Sequence, residues 1–137
     1  MFDTDVFNSS QLPVSIDEDT EVIFVSDFFS NEVQGGAELT SEALISKSPV
    51  KVQRIKSDKI NLQLLEEGQD CFWIFGNYTG LDLQLIPTIV ANMSYSIVEY
   101  DYKFCRYRSI EKHLAETGEE CNCHNETQGK LISAFMY

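Results

Sequence analysis

The stretch EVIFVSDFFSNEVQGGAEL, residues 21–39, decides the fold. Val22, Ile23, Phe24 and Val25 are consecutive β-branched or aromatic residues, as in a strand buried on both faces, and Ser26 and Asp27 end the run. Gly35 and Gly36 follow directly ahead of Ala37, Glu38 and Leu39, where a helix begins. A strand, a glycine-bearing loop and a helix N-terminus are the parts from which α/β proteins build a seat for an anion or a sugar. Backbone amides and the positive helix end converge there.

The same alternation continues downstream. Leu39, Ala43 and Leu44 share one face of the first helix, with Glu38, Ser41 and Glu42 turned away, and Pro49 marks its end. VKVQRI, residues 50–55, alternates as a half-buried edge strand does. Ser57 or Asp58 caps a helix through Ile60, Leu64 and Leu65 that Gly68 closes. CFWIF, residues 71–75, is continuously apolar, as central parallel strands are, and delivers Gly76 and Asn77 to its carboxyl end. A helix starts near Ile86, with Pro87 in its first turn, and runs to Met93. YSIVEYDY, residues 95–102, reads as the next strand, and LISAFMY, residues 131–137, as one more, cut off at the chain end.

This order predicts an α/β, Rossmann-like domain over residues 21–137: a parallel sheet with helices on both faces plus a Cys/His-rich insertion, preceded by a lead-in over residues 1–20. Ligands bind such sheets outside the carboxyl ends of the strands. Asp27, Gly35, Gly36, Gly76, Asn77, Glu99 and Asp101 fall on that edge.

Length and charge narrow the function. A chain of 137 residues suits one domain with its own core. With 10 basic and 22 acidic residues the formal charge is -12, which argues against nucleic acid and anionic lipid as partners. No apolar run has the length of a transmembrane segment, and the acidic N-terminus lacks the pattern of a secretory signal, so a cytoplasmic location is expected. In a reducing compartment Cys71, Cys105, Cys121 and Cys123 are thiols, core residues or metal ligands rather than disulfides.

Five potential ligands, Cys105, His113, Cys121, Cys123 and His124, crowd into the segment 105–130. Thiolate and imidazole are preferred zinc ligands, and a closed tetrahedral site needs four. Cys105, His113, Cys121 and Cys123 supply them, with His124 as the alternative to His113, so structural zinc is the expected cofactor. Ser109 caps a short helix carrying His113, and Gly118 ends it. Free thiols and surface histidines are the plain alternative, while a catalytic Cys-His pair lacks an orienting partner. Cys71 begins a buried strand and packs as a small apolar residue. Plain readings also stand beside the other candidates: Gly35-Gly36 as a tight turn, Asp27 capping a loop through backbone amides, and Glu99 and Asp101 balanced by Arg106 and Arg108.

The strand followed by GGAE at 35–38 resembles the opening of GT-B fold glycosyltransferases, particularly the retaining group that includes sucrose and glycogen synthases. WIFGN at 73–77 and EYDYKFCRYRSIEKH at 99–113 are similar to the N-terminal domain of uncharacterised, often viral, members, and the resemblance extends over residues 21–137. It implies an acceptor-side domain of an enzyme that transfers a hexose from a nucleotide-sugar to a glycan or other acceptor. Gly35 and Gly36 would approach the donor diphosphate and acceptor, Glu38 would organise the loop, and Asp101 is the nearest match to the residue that lies near the reacting sugar. The donor site, with its paired glutamates, lies in a C-terminal Rossmann-like domain that this stretch does not include, so sugar transfer by these residues alone is not expected. A non-catalytic, zinc-stabilised binding module of the same fold is the rival expectation.

Overall fold

The computed structural model describes residues 14–100, 103–104 and 106–137. Four strands form one all-parallel sheet: β1 (Val22–Ser26), β2 (Val52–Lys56), β3 (Phe72–Phe75) and β4 (Ser94–Ile97), in the spatial order β2-β1-β3-β4. The registers Val22↔Val52, Val22↔Phe72 and Phe72↔Ser94 start all four strands at one level. The carboxyl ends therefore share one edge. Helices α1 (Gly36–Ser46), α2 (Leu62–Glu67) and α3 (Ile86–Asn92) connect them. This is the α/β, Rossmann-like architecture that the strand and helix alternation predicts.

The period-two alternation of side chains splits the core into two layers. Ile23, Val25, Trp73 and Phe75 point to one face, where Leu64 and Leu65 of α2, Ile86 and Ile89 of α3, and Phe135 cover them. Phe24 points to the other face and packs with Phe29 and Ile45 of α1, flanked by Val52 and Ile74. Trp73 is fully buried, and its indole N–H donates to the Gly68 carbonyl at 2.9 Å. A Cβ on Gly68 would stand 2.7 Å from that indole, so this glycine closes α2 because nothing larger fits beneath Trp73.

Three expectations need correction. LISAFMY is helical: α5 spans Thr127–Met136. Its apolar run carries the helical spacing of Leu131, Ile132 and Phe135; Phe135 is buried against α3 and the sheet, Leu131 packs on the same core, and Ile132 is also buried. The face of α1 is also different. Leu39 and Leu44 are about half exposed, while Ser41 and Ile45 are buried, because the Ser41 hydroxyl hydrogen-bonds the Tyr100 hydroxyl at 2.7 Å. Finally, Asn61 rather than Ser57 or Asp58 caps α2, accepting from the Leu64 amide at 2.8 Å, since residues 57–59 form a separate 3-10 turn.

Within the predicted lead-in, residues 1–13 lie outside the described residues, and residues 14–20 are tied to β2. The Gln53 side chain accepts from the Asp17 amide at 2.8 Å and donates to the Ser15 carbonyl at 2.8 Å. This shields the edge strand. No helix among the described residues is long and apolar enough to cross a membrane.

Candidate functional site

Asp27 leaves β1 at the carboxyl edge and is fully occupied. Its carboxylate accepts from the Ser57 hydroxyl at 2.5 Å, the Thr79 amide at 3.0 Å and the Gly80 amide at 3.2 Å. Burial alone would raise its pKa, but these bonds and one from the Thr79 hydroxyl prevail and hold it below the ordinary carboxylate value. The residue thus joins the ends of β1 and β2 to the loop after β3. The plain reading of Asp27 as a loop cap describes its contacts here.

Beside it opens a cleft of about 330 Å³, walled by Phe28, Lys56, Asp58 and Thr79. Phe28 is 46% exposed, whereas its neighbour Phe29 is buried. Lys56 stands 5.4 Å from the Phe28 ring centre and pairs with Glu32 at 2.8 Å. In the same β1–α1 loop, Gly35 caps α1 with extended backbone and no side-chain bond. Glu38 folds back over it, its carboxylate 2.5 Å from where a Gly35 Cβ would lie. A Cβ on Gly36 would meet nothing within 4 Å. The fold itself therefore leaves Gly36 open.

At the end of β3, Gly76 is consumed by packing, because a Cβ there would lie 3.3 Å from Phe24 and 3.4 Å from Tyr100. Asn77 is half-buried, and its Oδ1 is buried with no hydrogen-bond partner among the described residues. Glu99 is exposed, and Asp101 lies outside the described residues. No local pattern singles out Lys103, which is 3% exposed, with its ammonium 5.7 Å and 5.9 Å from the ring centres of Tyr78 and Tyr100. Lys103, Arg106 and Arg108 line a cavity of about 150 Å³ with Tyr78 and Gln128, a local cationic lining on an acidic protein.

The second group of candidates sits on the C-terminal segment. Helix α4 (Ile110–Thr117) has the expected ends: Ser109 Oγ accepts from the Lys112 amide at 3.2 Å, and Gly118 is left-handed with φ 75°. It carries His113, whose Nδ1 lies 3.6 Å from Cys123 Sγ. Ligand atoms of His113, Cys121 and Cys123 all lie within 4.8 Å of one another. His124 is exposed and not among them, and Cys105 lies outside the described residues. Cys71 is apart from this group: buried, it donates to the Thr20 carbonyl at 3.3 Å, and burial with the nearby Asp70 charge pushes its thiol pKa up.

Comparison with known proteins finds no relative. The chain matches no protein-family model, no curated protein and no solved structure. At the sheet edge the described groups offer an aromatic face, hydrogen-bonding side chains and an open helix start, which suit a polyhydroxylated or anionic ligand. They offer no uncommitted acid or base at Asp27.

Proposed function

We propose that this domain is the acceptor-side half of a GT-B type glycosyltransferase, binding a glycan or other acceptor while a second Rossmann-like domain supplies the nucleotide-sugar site. One observation carries the reading: a single β1–α1 loop sets the exposed Phe28 ring on the wall of a cleft at the sheet's carboxyl edge and then opens α1 through Gly35-Gly36. An exposed aromatic face among Lys56, Asp58 and Thr79 fits a sugar, whose C–H face is apolar and whose hydroxyls seek polar partners. Asn77 Oδ1 is a further buried acceptor for a hydroxyl. A cytoplasmic setting belongs to this reading, as does the absence of a metal from the transfer chemistry.

The rival, a non-catalytic binding module held together by zinc, is favoured by the full occupation of Asp27 and by the His113, Cys121 and Cys123 group. Amide NMR titration of the protein with mono- and oligosaccharides, and separately with UDP-glucose and GDP-mannose, tests the proposal. Saccharides are expected to shift residues 27–36 and 77–80, with the nucleotide-sugars weak. Phe28→Ala is expected to abolish the saccharide shifts while moving the unfolding midpoint little, since the ring is half exposed. Saccharide shifts confined to other regions, or tight nucleotide-sugar binding by these residues, would overturn it. Hexose transfer by the protein joined to its donor domain then separates enzyme from binding module.

A further inference from the structure

Helix α4 poses a problem of stability. It is eight residues long and has no buried residue, and Ile110 and Leu114 on its surface are about half exposed. Isolated helices of this length are marginal in water, so caps at Ser109 and Gly118 do not suffice to hold it in place. What α4 lacks in apolar contact is offset where His113 reaches Cys123. That cysteine is on firm ground: it is buried, and its backbone lies directly against α5, where a Cβ on Gly129 would overlap the Cys123 carbonyl oxygen. Phe135, with Leu131 packed beside it, in turn roots α5 in the main core.

We infer that His113, Cys121 and Cys123 bind a zinc ion that clamps α4 to the segment leading into α5, with the fourth tetrahedral position open to water, a metal site independent of sugar binding. The donor set is two thiolates and an imidazole, the soft and borderline ligands that select zinc over the harder divalent ions. The spacing agrees. With metal–sulfur bonds of about 2.3 Å and metal–nitrogen bonds of about 2.0 Å, a tetrahedral ion sets sulfur and nitrogen about 3.5 Å apart and two sulfurs about 3.8 Å apart. His113 Nδ1 and Cys123 Sγ stand at 3.6 Å, and the whole set lies within 4.8 Å, close to the spacing such an ion requires. Tyr107 packs edge-on against the His113 ring, with ring centres 5.4 Å apart, which restrains the imidazole. One ligand comes from α4 and two from the segment after the Gly118 turn, and binding would close that loop. Both thiols must give up their protons to the solvent as the ion enters, so the site weakens in acid.

Metal analysis of the whole chain purified without added metal tests the inference. One zinc ion per chain is expected, and titration of metal-free protein with Co²⁺ should give the thiolate-to-metal charge-transfer absorption and tetrahedral ligand-field bands. Cys121→Ser and Cys123→Ser should lose zinc, whereas Cys71→Ser should retain it. On chelation, hydrogen exchange should quicken over residues 106–128 while β1 and β3 amides keep their protection. The inference is overturned by zinc well below one per chain together with no cobalt charge-transfer band. It is equally overturned if the Cys121→Ser, Cys123→Ser double variant keeps a full equivalent. The wild-type cobalt spectrum decides the matter even where a variant does not fold.

Discussion

Asp27 shows how a residue that looks like chemistry becomes architecture. A carboxylate at the end of the first strand of an α/β sheet is a reasonable acid or base from sequence, but its partners come from residues 57, 79 and 80, and no local pattern announces them. Its folded pKa is held below the ordinary value of 3.8, so the ionised form contributes stability. That contribution is fully present above the unfolded pKa and is lost as pH falls below about 4, through the lower folded value. Asp27→Asn presents an amide nitrogen to hydrogen-bond donors and should cost about 1–3 kcal/mol at neutral pH. In urea unfolding the gap between wild type and variant should narrow from pH 7 to pH 3; an unchanged gap would show that the charge is not what the loop uses. Gly36 is the converse case. Its glycine is not demanded by the described fold, whereas Gly68 is demanded by Trp73 and Gly76 is tightly packed by Phe24 and Tyr100, and the three are indistinguishable as letters in the sequence.

At the scale of elements, legibility followed how many residues shared one signal. β1 is buried at four of its five positions, and β3 is continuously apolar with Trp73 and Phe75 buried, so residues 22–25 and 72–75 could be read directly. Helix α4 was legible from its ends, since Ser109 and Gly118 act locally. LISAFMY failed because one turn of helical spacing in a short apolar run fits a buried strand as well; the buried partners of α5 lie on α3 and β3, far away in sequence. The face of α1 failed for a related reason. Leu39 and Leu44 outrank Ser41 in hydrophobicity, but Ser41 is the residue small enough to lie under Tyr100 and polar enough to bond its hydroxyl. Helix α5 is the element on which the C-terminal segment depends. Phe135 sits 5.0 Å from Phe75 and 5.1 Å from Tyr78 and Tyr95, ring centre to ring centre, and the Tyr95 hydroxyl donates to its carbonyl. Phe135→Ala should therefore cost about 3–5 kcal/mol in chemical unfolding. A loss below about 1 kcal/mol would mean that α5 is not packed on the sheet as described.

For the whole molecule, the two faces of the sheet are unequal. One is covered by α2, α3 and α5 over an aromatic cluster; among the described residues the other has α1 as its one helix, with Ser41 and Ile45 as the buried residues of that helix and an apolar depression of about 630 Å³ beside Phe24, Ile74 and Val98. Free energies of local opening follow buried contacts, so α1 should open well before the sheet and α3 do. The loop that carries Phe28, Gly35 and Gly36 is attached to that weaker layer, as binding loops commonly are. In native-state hydrogen exchange, amides of α1 should exchange faster than those of β1, β3 and α3 under conditions where global unfolding is rare. A saccharide bound at the β1–α1 loop would then have to raise protection throughout α1, because binding to the closed form lowers the population of the open one by mass action. Protection gained at α1 in proportion to saccharide concentration would tie the weak face to the site. Equal protection on both faces of the ligand-free protein would break the link between packing and loop mobility on which the prediction rests.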